Sequence, residues 1–549
     1  MLCFYFVYEY RIIISSLVVP TLLAYESLAS NIFKKSNVSI PIMAEWLQLK
    51  IVRLGELDTV EEKNDILSEI KIKLGSLSNR ESIQISPNVD LGQLFSQLTS
   101  NDRYHNKYIS QVCDILKTLF GILEPGEVYQ RYSTEISQLI IHPDDIVRSL
   151  VLHEILCVVS NPQKISLVLT DVSLLVAVIN RIGDDNLMVA KCAMCIMREI
   201  GKNPNGLKIL YTGELLRSFA RLIVKNDTTS FRIYEVIVDV AKSSKEGLEA
   251  SIKSGFLNSL FEILENDDIL IQVNALEILT QLALTEEGLW YLEQQDVLRK
   301  LVQKIVQANE NPLSNLLIPG LMKFFGNVAR YWPNEIFSKF PAVVSALFEV
   351  IESGDQAILG VALDTLGHVS MRAEGKYALH ALGDAMPCAL KKITEVIQRM
   401  PTDLRIRGLN NLALILDVQK AEQDNRILSL TKSWFNCMCD DPLGMVVGLC
   451  RQPFADIRQA GLEVLAVLAS QVWGQECIST YPGLVEFLLD RNSESFKECK
   501  EAKYGVVKRL IEAEPDIFDT DTMQKFKDFV TQGPFYVEIN TEVAVEGGL

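Results

Sequence analysis

Apolar residues recur at helical spacing along nearly the whole chain. Residues 46–57 and 60–77 form two such runs, the second opening at Asp58-Thr59 with Glu61 and Glu62 placed for a capping box. Residues 79–89 read as a loop. From 91 to about 509 the pattern predicts helix after helix, interrupted at Pro125-Gly126, Pro143, Pro162, Pro204, Pro312, Pro333, Pro401, Pro442 and Pro453. No strand-period segment of any length appears. Superimposed on the helical pattern is a longer one. Gly206, Gly247 and Gly288 stand 41 residues apart, each followed by an apolar helix start and echoed by a second turn at Gly213, Gly255 and Asp296. A fourth copy, Glu374-Gly375-Lys376-Tyr377-Ala378-Leu379, is followed by Gly383. A period in the low forties predicts stacked helical units.

The unit reads glycine, short helix, turn at glycine, apolar second helix such as 215–223, then Asp or Asn and a third helix. That is the layout of an armadillo repeat. The expected fold is all-α, an armadillo/HEAT-like helical repeat solenoid forming a curved superhelix, and such arrays bind partners along a surface far more often than they catalyse reactions. Four segments are expected: an extension over 1–42, a helical cap with the first repeats over 43–140, repeats over 141–510, and a C-terminal helix with a mobile tail over 511–549. Residues 1–8 carry no positive charge, and the uncharged run from 12 to 25 is short for a bilayer. Met43 begins Met-Ala-Glu-Trp-Leu, so residues 1–42 read as an over-extended gene model rather than a targeting signal.

Composition narrows the partner. A 549-residue chain is too long for one compact core, and 48% apolar content suffices to bury a continuous core between repeats. The net charge of −17 opposes a nucleic-acid backbone and favours a basic protein surface. Neither nucleic acid nor membrane is expected as a partner, and apart from its partners the chain is expected to be a monomer. Eleven cysteines without regular spacing fit a reducing compartment, cytoplasmic and also nuclear. Cys192 and Cys195 form a CxxC, and Cys437 and Cys439 a CxC, but no second pair completes a zinc set, so both read as packed helix positions. No metal or cofactor is expected.

Stacked third helices of this kind line the concave face, so their outward positions are candidates for partner contact. One column in this register is His153, Cys195, Glu235, Glu277, Lys323 and Asp364. A second, four residues further along each helix, is Cys157, Glu199, Asp239, Gln281, Asn327 and His368. Acidic residues dominate. The partner-binding set is therefore Glu199, Glu235, Asp239, Glu277, Gln281, Lys323, Asn327, Asp364 and His368, weighed against the plainer reading of solvated helix faces.

Little in the sequence looks like catalysis. His142-Pro143-Asp144 matches the tripeptide of J-domain co-chaperones, but it falls at a repeat turn without the basic helix that should precede it, and Pro fixing a turn with Asp capping a helix explains it. His153 and Glu154 are adjacent and face apart, and His105 has only scattered polar neighbours. GxxxxGK[ST], HExxH and GxSxG are all missing from the chain, so no enzyme is expected.

Several ordered segments resemble the proteasome non-ATPase regulatory subunit 5 family. They are Ile141-His142-Pro143-Asp144-Asp145, Pro319-Gly320 with Lys323-Phe324-Phe325-Gly326-Asn327, Gln452-Pro453-Phe454, and Pro482-Gly483 with Val485-Glu486-Phe487 and Asp490-Arg491. Ala502-Lys503-Tyr504, Gly533-Pro534-Phe535-Tyr536-Val537 and Ala544-Val545-Glu546-Gly547 complete the set. The resemblance implies an assembly chaperone of the regulatory particle's base. Such a protein holds the C-terminal domain of a proteasomal AAA-ATPase, ring subunits 1 and 2 being implied, delays docking on the core particle, and is absent from the mature complex. The rivals are a generic armadillo scaffold, an importin-like cargo adaptor, and a J-type co-chaperone. Importin-like adaptors repeat Trp and Asn on this face, and here only Asn327 fits.

Overall fold

A computed structural model describes residues 39–57, 59–76, 89–99, 106–307 and 316–536. Every regular element among them is helical. Residues 1–38, His105, most of the 79–89 loop and the tail from Val537 lie outside the described residues, while the first described helix, Ser39–Glu56, runs through Met43. The chain divides into two compact units, one ending at Ser254 and the other starting at Gly255.

The third helices set the framework. In the first unit they are α1 (Asp145–Val159), α2 (Leu187–Lys202) and α3 (Asp227–Ala241). In the second they are α4 (Ile269–Ala283), α5 (Ile318–Tyr331), α6 (Gln356–Val369), α7 (Thr402–Leu416), α8 (Ala455–Ala469) and α9 (Lys497–Leu510). Within each unit every third helix packs on the next. The expected Asp or Asn before a third helix is a working N-cap: the side chains of Asp144, Asn186, Asn226, Asp268 and Asp355 accept from backbone N–H groups of α1, α2, α3, α4 and α6. The capping box at Thr59 differs, because its hydroxyl donates to Glu62 Oε2 at 2.7 Å and caps no backbone N–H.

The periodic glycines do not precede their helices. Gly206, Gly247, Gly288 and Gly375 each occupy the third position of a short first helix, as does Gly474 in a further copy. There the chain doubles back so tightly that a Cβ on Gly288 would lie 2.1 Å from the Leu282 carbonyl oxygen, and one on Gly375 1.9 Å from that of Val369. Asn203, Ser244 and Thr285 cap the glycine N–H from the preceding turn. The echo positions obey a different rule. Gly213, Gly255, Gly383 and Gly483 have positive φ and open space around them, and Asp296, at φ 59°, is the one non-glycine residue with positive φ among the described residues.

Buried arginines pin successive repeats together in both units. Arg148 Nη1 donates to the carbonyls of His142 and Pro143, both at 2.7 Å, while Nε meets Asp184 Oδ2 at 2.9 Å. Arg458 repeats this arrangement with the carbonyls of Gln452 and Pro453 and with Glu494 at 3.0 Å, and in both cases the acid lies 36 residues after the arginine. His142-Pro143-Asp144 is thus the turn that Arg148 clamps, with Asp144 accepting from Ile146 N–H at 2.9 Å.

Candidate partner-binding face

Third-helix side chains outside the packed core belong to residues spaced three or four apart, which puts the two columns on one face of each helix. In the first unit His153 and Glu235 are exposed, and Cys157, Cys195, Glu199 and Asp239 are half-buried. In the second, Glu277, Gln281 and Lys323 are exposed, and Asn327, Asp364 and His368 are half-buried. The columns are therefore surface positions, though several sit lower between neighbouring helices than full exposure would place them.

These acids are engaged within the chain. Arg198 on α2 crosses to α3, placing Nη2 3.4 Å from Glu235 Oε2 and Nε 2.5 Å from Asp239 Oδ2. Lys242 holds the other Asp239 oxygen at 2.7 Å, and Lys202 meets Glu199 at 2.6 Å. In the second unit Lys323 reaches from α5 to Glu277 on α4 at 3.0 Å. Asp364 on α6 pairs with Arg407 on α7 and accepts from Asn411 Nδ2 at 2.7 Å. Each carboxylate named here has a cation beside it, so the face presents ladders of alternating charge rather than an acidic stripe. Exposed pairs of this kind contribute little to stability, at most about 1 kcal/mol each.

Sequence reasoning missed Arg198, Lys242, Arg407 and Asn411. One signal was available: Gly367, where a Cβ would lie 2.2 Å from Asn411 Oδ1, makes room for that amide to reach Asp364. Gly201 and Gly326 similarly let α2 approach Val240 and α5 approach Thr365. Two column residues have shifted titration. Burial against α2 holds the Glu235 carboxyl above its usual range despite a half-exposed side chain, with Arg198 opposing and Asp239 reinforcing the shift. Burial likewise lowers the His368 imidazole, with Asp364 opposing and Arg330 and Lys323 adding to the drop. At neutral pH His368 is therefore a neutral hydrogen-bonding group. Cys192 faces Cys195 and Cys157, and burial pushes its thiol up to about 12, so it behaves as a packed side chain and not as a reactive thiolate.

A face of paired charges and small packed residues, repeated helix after helix, defines a protein of the helical-repeat solenoid class. Residues 43–548 match the proteasome non-ATPase 26S subunit family, and the chain belongs to that family. It is 32% identical over 497 residues to the 26S proteasome non-ATPase regulatory subunit 5 of Homo sapiens, covering 90% of this chain and 98% of that protein. The Bos taurus protein of the same description gives the same identity and coverage. Among solved structures, importin beta crystallised in a polyethylene glycol condition shares the fold at TM-score 0.50 and 11% identity, over 89% of this chain and 63% of that one. No helix among the described residues is long and apolar enough to cross a membrane.

Proposed function

We propose that this chain is a chaperone for assembly of the base of the proteasome regulatory particle. It holds the C-terminal domain of an ATPase ring subunit, ring subunits 1 and 2 being the partners, against its third-helix face. By occupying that domain it delays docking on the core particle, and it leaves before the particle is complete. The reading is carried by the match to relatives named as proteasome non-ATPase regulatory subunit 5 across almost their whole length. It is supported by the charge ladders at Glu199, Glu235, Asp239, Glu277 and Asp364, with Gln281, Lys323, Asn327 and His368 among them, which a partner can enter by exchanging ion pairs. In this reading the chain acts without catalysis, as a cytoplasmic and nuclear monomer.

The test is a titration of the C-terminal domain of ATPase ring subunit 1 into the full chain, with a Glu235→Gln/Asp239→Asn/Glu277→Gln variant alongside. Neutral amides avoid setting a new lysine against Arg198. A stoichiometric complex with the wild type, weakened in the variant and at high salt, is expected. No complex with the wild type contradicts the proposed activity. Equal binding by the variant moves the contact off these columns.

A further inference from the structure

The residue that follows the repeat glycine differs between copies. It is a buried leucine at Leu207, Leu248 and Leu289, but Lys376 follows Gly375 and Gln475 follows Gly474, and these polar side chains are buried as well. Lys376 shows what a polar group does there. From the short helix Ala373–His380 its ammonium donates to the Ser370 carbonyl at the end of α6, and to the carbonyls of Leu414 and Ile415 at 3.3 and 2.9 Å in the last turn of α7. It thus ties together the C-terminal ends of two successive third helices, where unpaired carbonyls and the helix dipole favour a cation. Full burial has a cost: it lowers the ammonium to about 7, with Asp417 and Glu422 opposing the drop.

Gln475 holds the same place on the short helix Val472–Thr480. Its Nε2 donates to the Ala469 carbonyl at 3.0 Å, six residues back, as Lys376 does to Ser370. There the likeness stops, because a space of about 260 Å³ remains where the chain leaves α7, α8 and α9, with Gln475 in its wall. Gln475 is only 5% exposed, and its Oε1 has no donor among the described residues. The Ala469 carbonyl fixes which end of the amide is which, so the unmatched atom is an acceptor. A buried acceptor left without a donor is costly, and a guest carrying N–H or O–H groups removes that cost.

Net charge does not choose the guest. The lining sets Asp417, Glu512 and Glu514 against Lys420 and Arg509, and Lys420 already meets Glu512 at 2.7 Å. Among the described residues no three His, Cys, Asp or Glu side chains converge to hold a metal. What sets the pocket apart is its neutral oxygen acceptor at a helix end, the kind of group that receives the Lys376 ammonium one helix stack earlier. Lys420, Glu512 and Glu514 are exposed, so the pocket opens to solvent and a guest cation loses less hydration there than Lys376 does.

We propose that the pocket beside Gln475 seats a primary ammonium group, brought either by a free amine or by a lysine side chain. The guest stands where the Lys376 ammonium stands in its own copy of the repeat: it donates to Gln475 Oε1 and bridges the ends of α8 and α9. Asp417, which already faces Lys376, lies on the wall to balance the added charge. This site is separate from the third-helix columns and does not depend on the partner reading.

Saturation-transfer NMR on the full chain, at constant ionic strength, tests it with n-butylammonium chloride as a mimic of the lysine side chain. The wild type should bind n-butylammonium and should bind n-butanol, which keeps the chain and lacks the charge, about tenfold more weakly. Gln475→Met keeps the volume and removes the acceptor, so n-butylammonium should weaken about tenfold, the loss of one hydrogen bond to a charged group. Gln475→Lys supplies a tethered ammonium and should abolish binding. Should that variant melt early, Gln475→Met carries the test alone. Blocked lysine, N-acetyl-lysine methylamide, separates the two sources: binding like that of n-butylammonium assigns the pocket to a lysine side chain, and no binding assigns it to free amines. Wild-type and Gln475→Met titrations that agree within about twofold, or no binding by the wild type, overturn the proposal and leave the pocket to water.

Discussion

Alanine in place of Gly288 and alanine in place of Gly505 should have opposite effects, although both replace a helical glycine in the second unit. In a helix interior, Gly→Ala gains about 1 kcal/mol from propensity alone. At Gly505, in α9, nothing lies within 4 Å of the new Cβ, so that gain is realised and the protein becomes about 0.5–1 kcal/mol more stable. At Gly288 the new Cβ meets the Leu282 carbonyl oxygen at 2.1 Å and Thr285 Oγ1 at 2.6 Å. The hydroxyl can rotate away at the loss of its cap on Gly288 N–H, but the carbonyl belongs to the last turn of α4 and can move only with the helix. Overpacking typically costs about 1–3 kcal/mol, and a backbone obstacle lies at the upper end, so the net effect is a loss of about 2 kcal/mol. Urea unfolding followed by circular dichroism measures both, with unchanged slope as the condition for comparing midpoints. Equal effects at the two sites, or a stabilised Gly288→Ala protein, would refute the account of why the repeat carries its glycine.

Asp296→Gly should stabilise by about 0.5–1 kcal/mol, because an L side chain at φ 59° is strained and the exposed contact to Arg299 at 3.4 Å adds little; the same urea midpoints report it. Glu494→Ala should cost about 3 kcal/mol by leaving the buried Arg458 cation without its acid, a loss read by urea unfolding and by faster hydrogen exchange in α8 and α9. Glu154 is buried and its carboxyl is raised to about 7, so the folded state holds its proton more tightly than the unfolded chain does. Its contribution is fully present below about pH 4.5 and is lost as pH rises to about 7, so melting temperatures of wild type and Glu154→Gln should diverge across that window, with wild type losing more.

The repeat was legible because its glycines answer to the backbone. A carbonyl blocking every Cβ leaves one residue type at Gly206, Gly247 and Gly288, and the period survives in plain view. Their place inside the first turn was not legible, since a glycine before a helix and one at its third position look alike in sequence. The copy at Gly474 and Gly483 escaped because longer connections break the 41-residue spacing. Column positions came from helical periodicity, which reports the face of a helix but not what leans across from its neighbour. Arg198 lies 37 residues from Glu235, Lys323 46 from Glu277, and Arg407 43 from Asp364, and no fixed offset links them. His153 and Glu154 were separated correctly onto different faces, one exposed and one buried, but the contact of the Glu154 carboxyl with the Gly126 backbone N–H, at the start of another helix, was not legible.

Quantitative mass spectrometry of assembly intermediates tests the proposed temporary custody of an ATPase subunit. Complexes captured through this chain and through a core-particle subunit would be compared for their content of the chain relative to ATPase ring subunits 1 and 2. The chain is expected at one copy per captured ATPase subunit in precursors of the base and is expected to be absent from finished particles. Stoichiometric retention in the finished particle, or capture without any ATPase subunit, would contradict it.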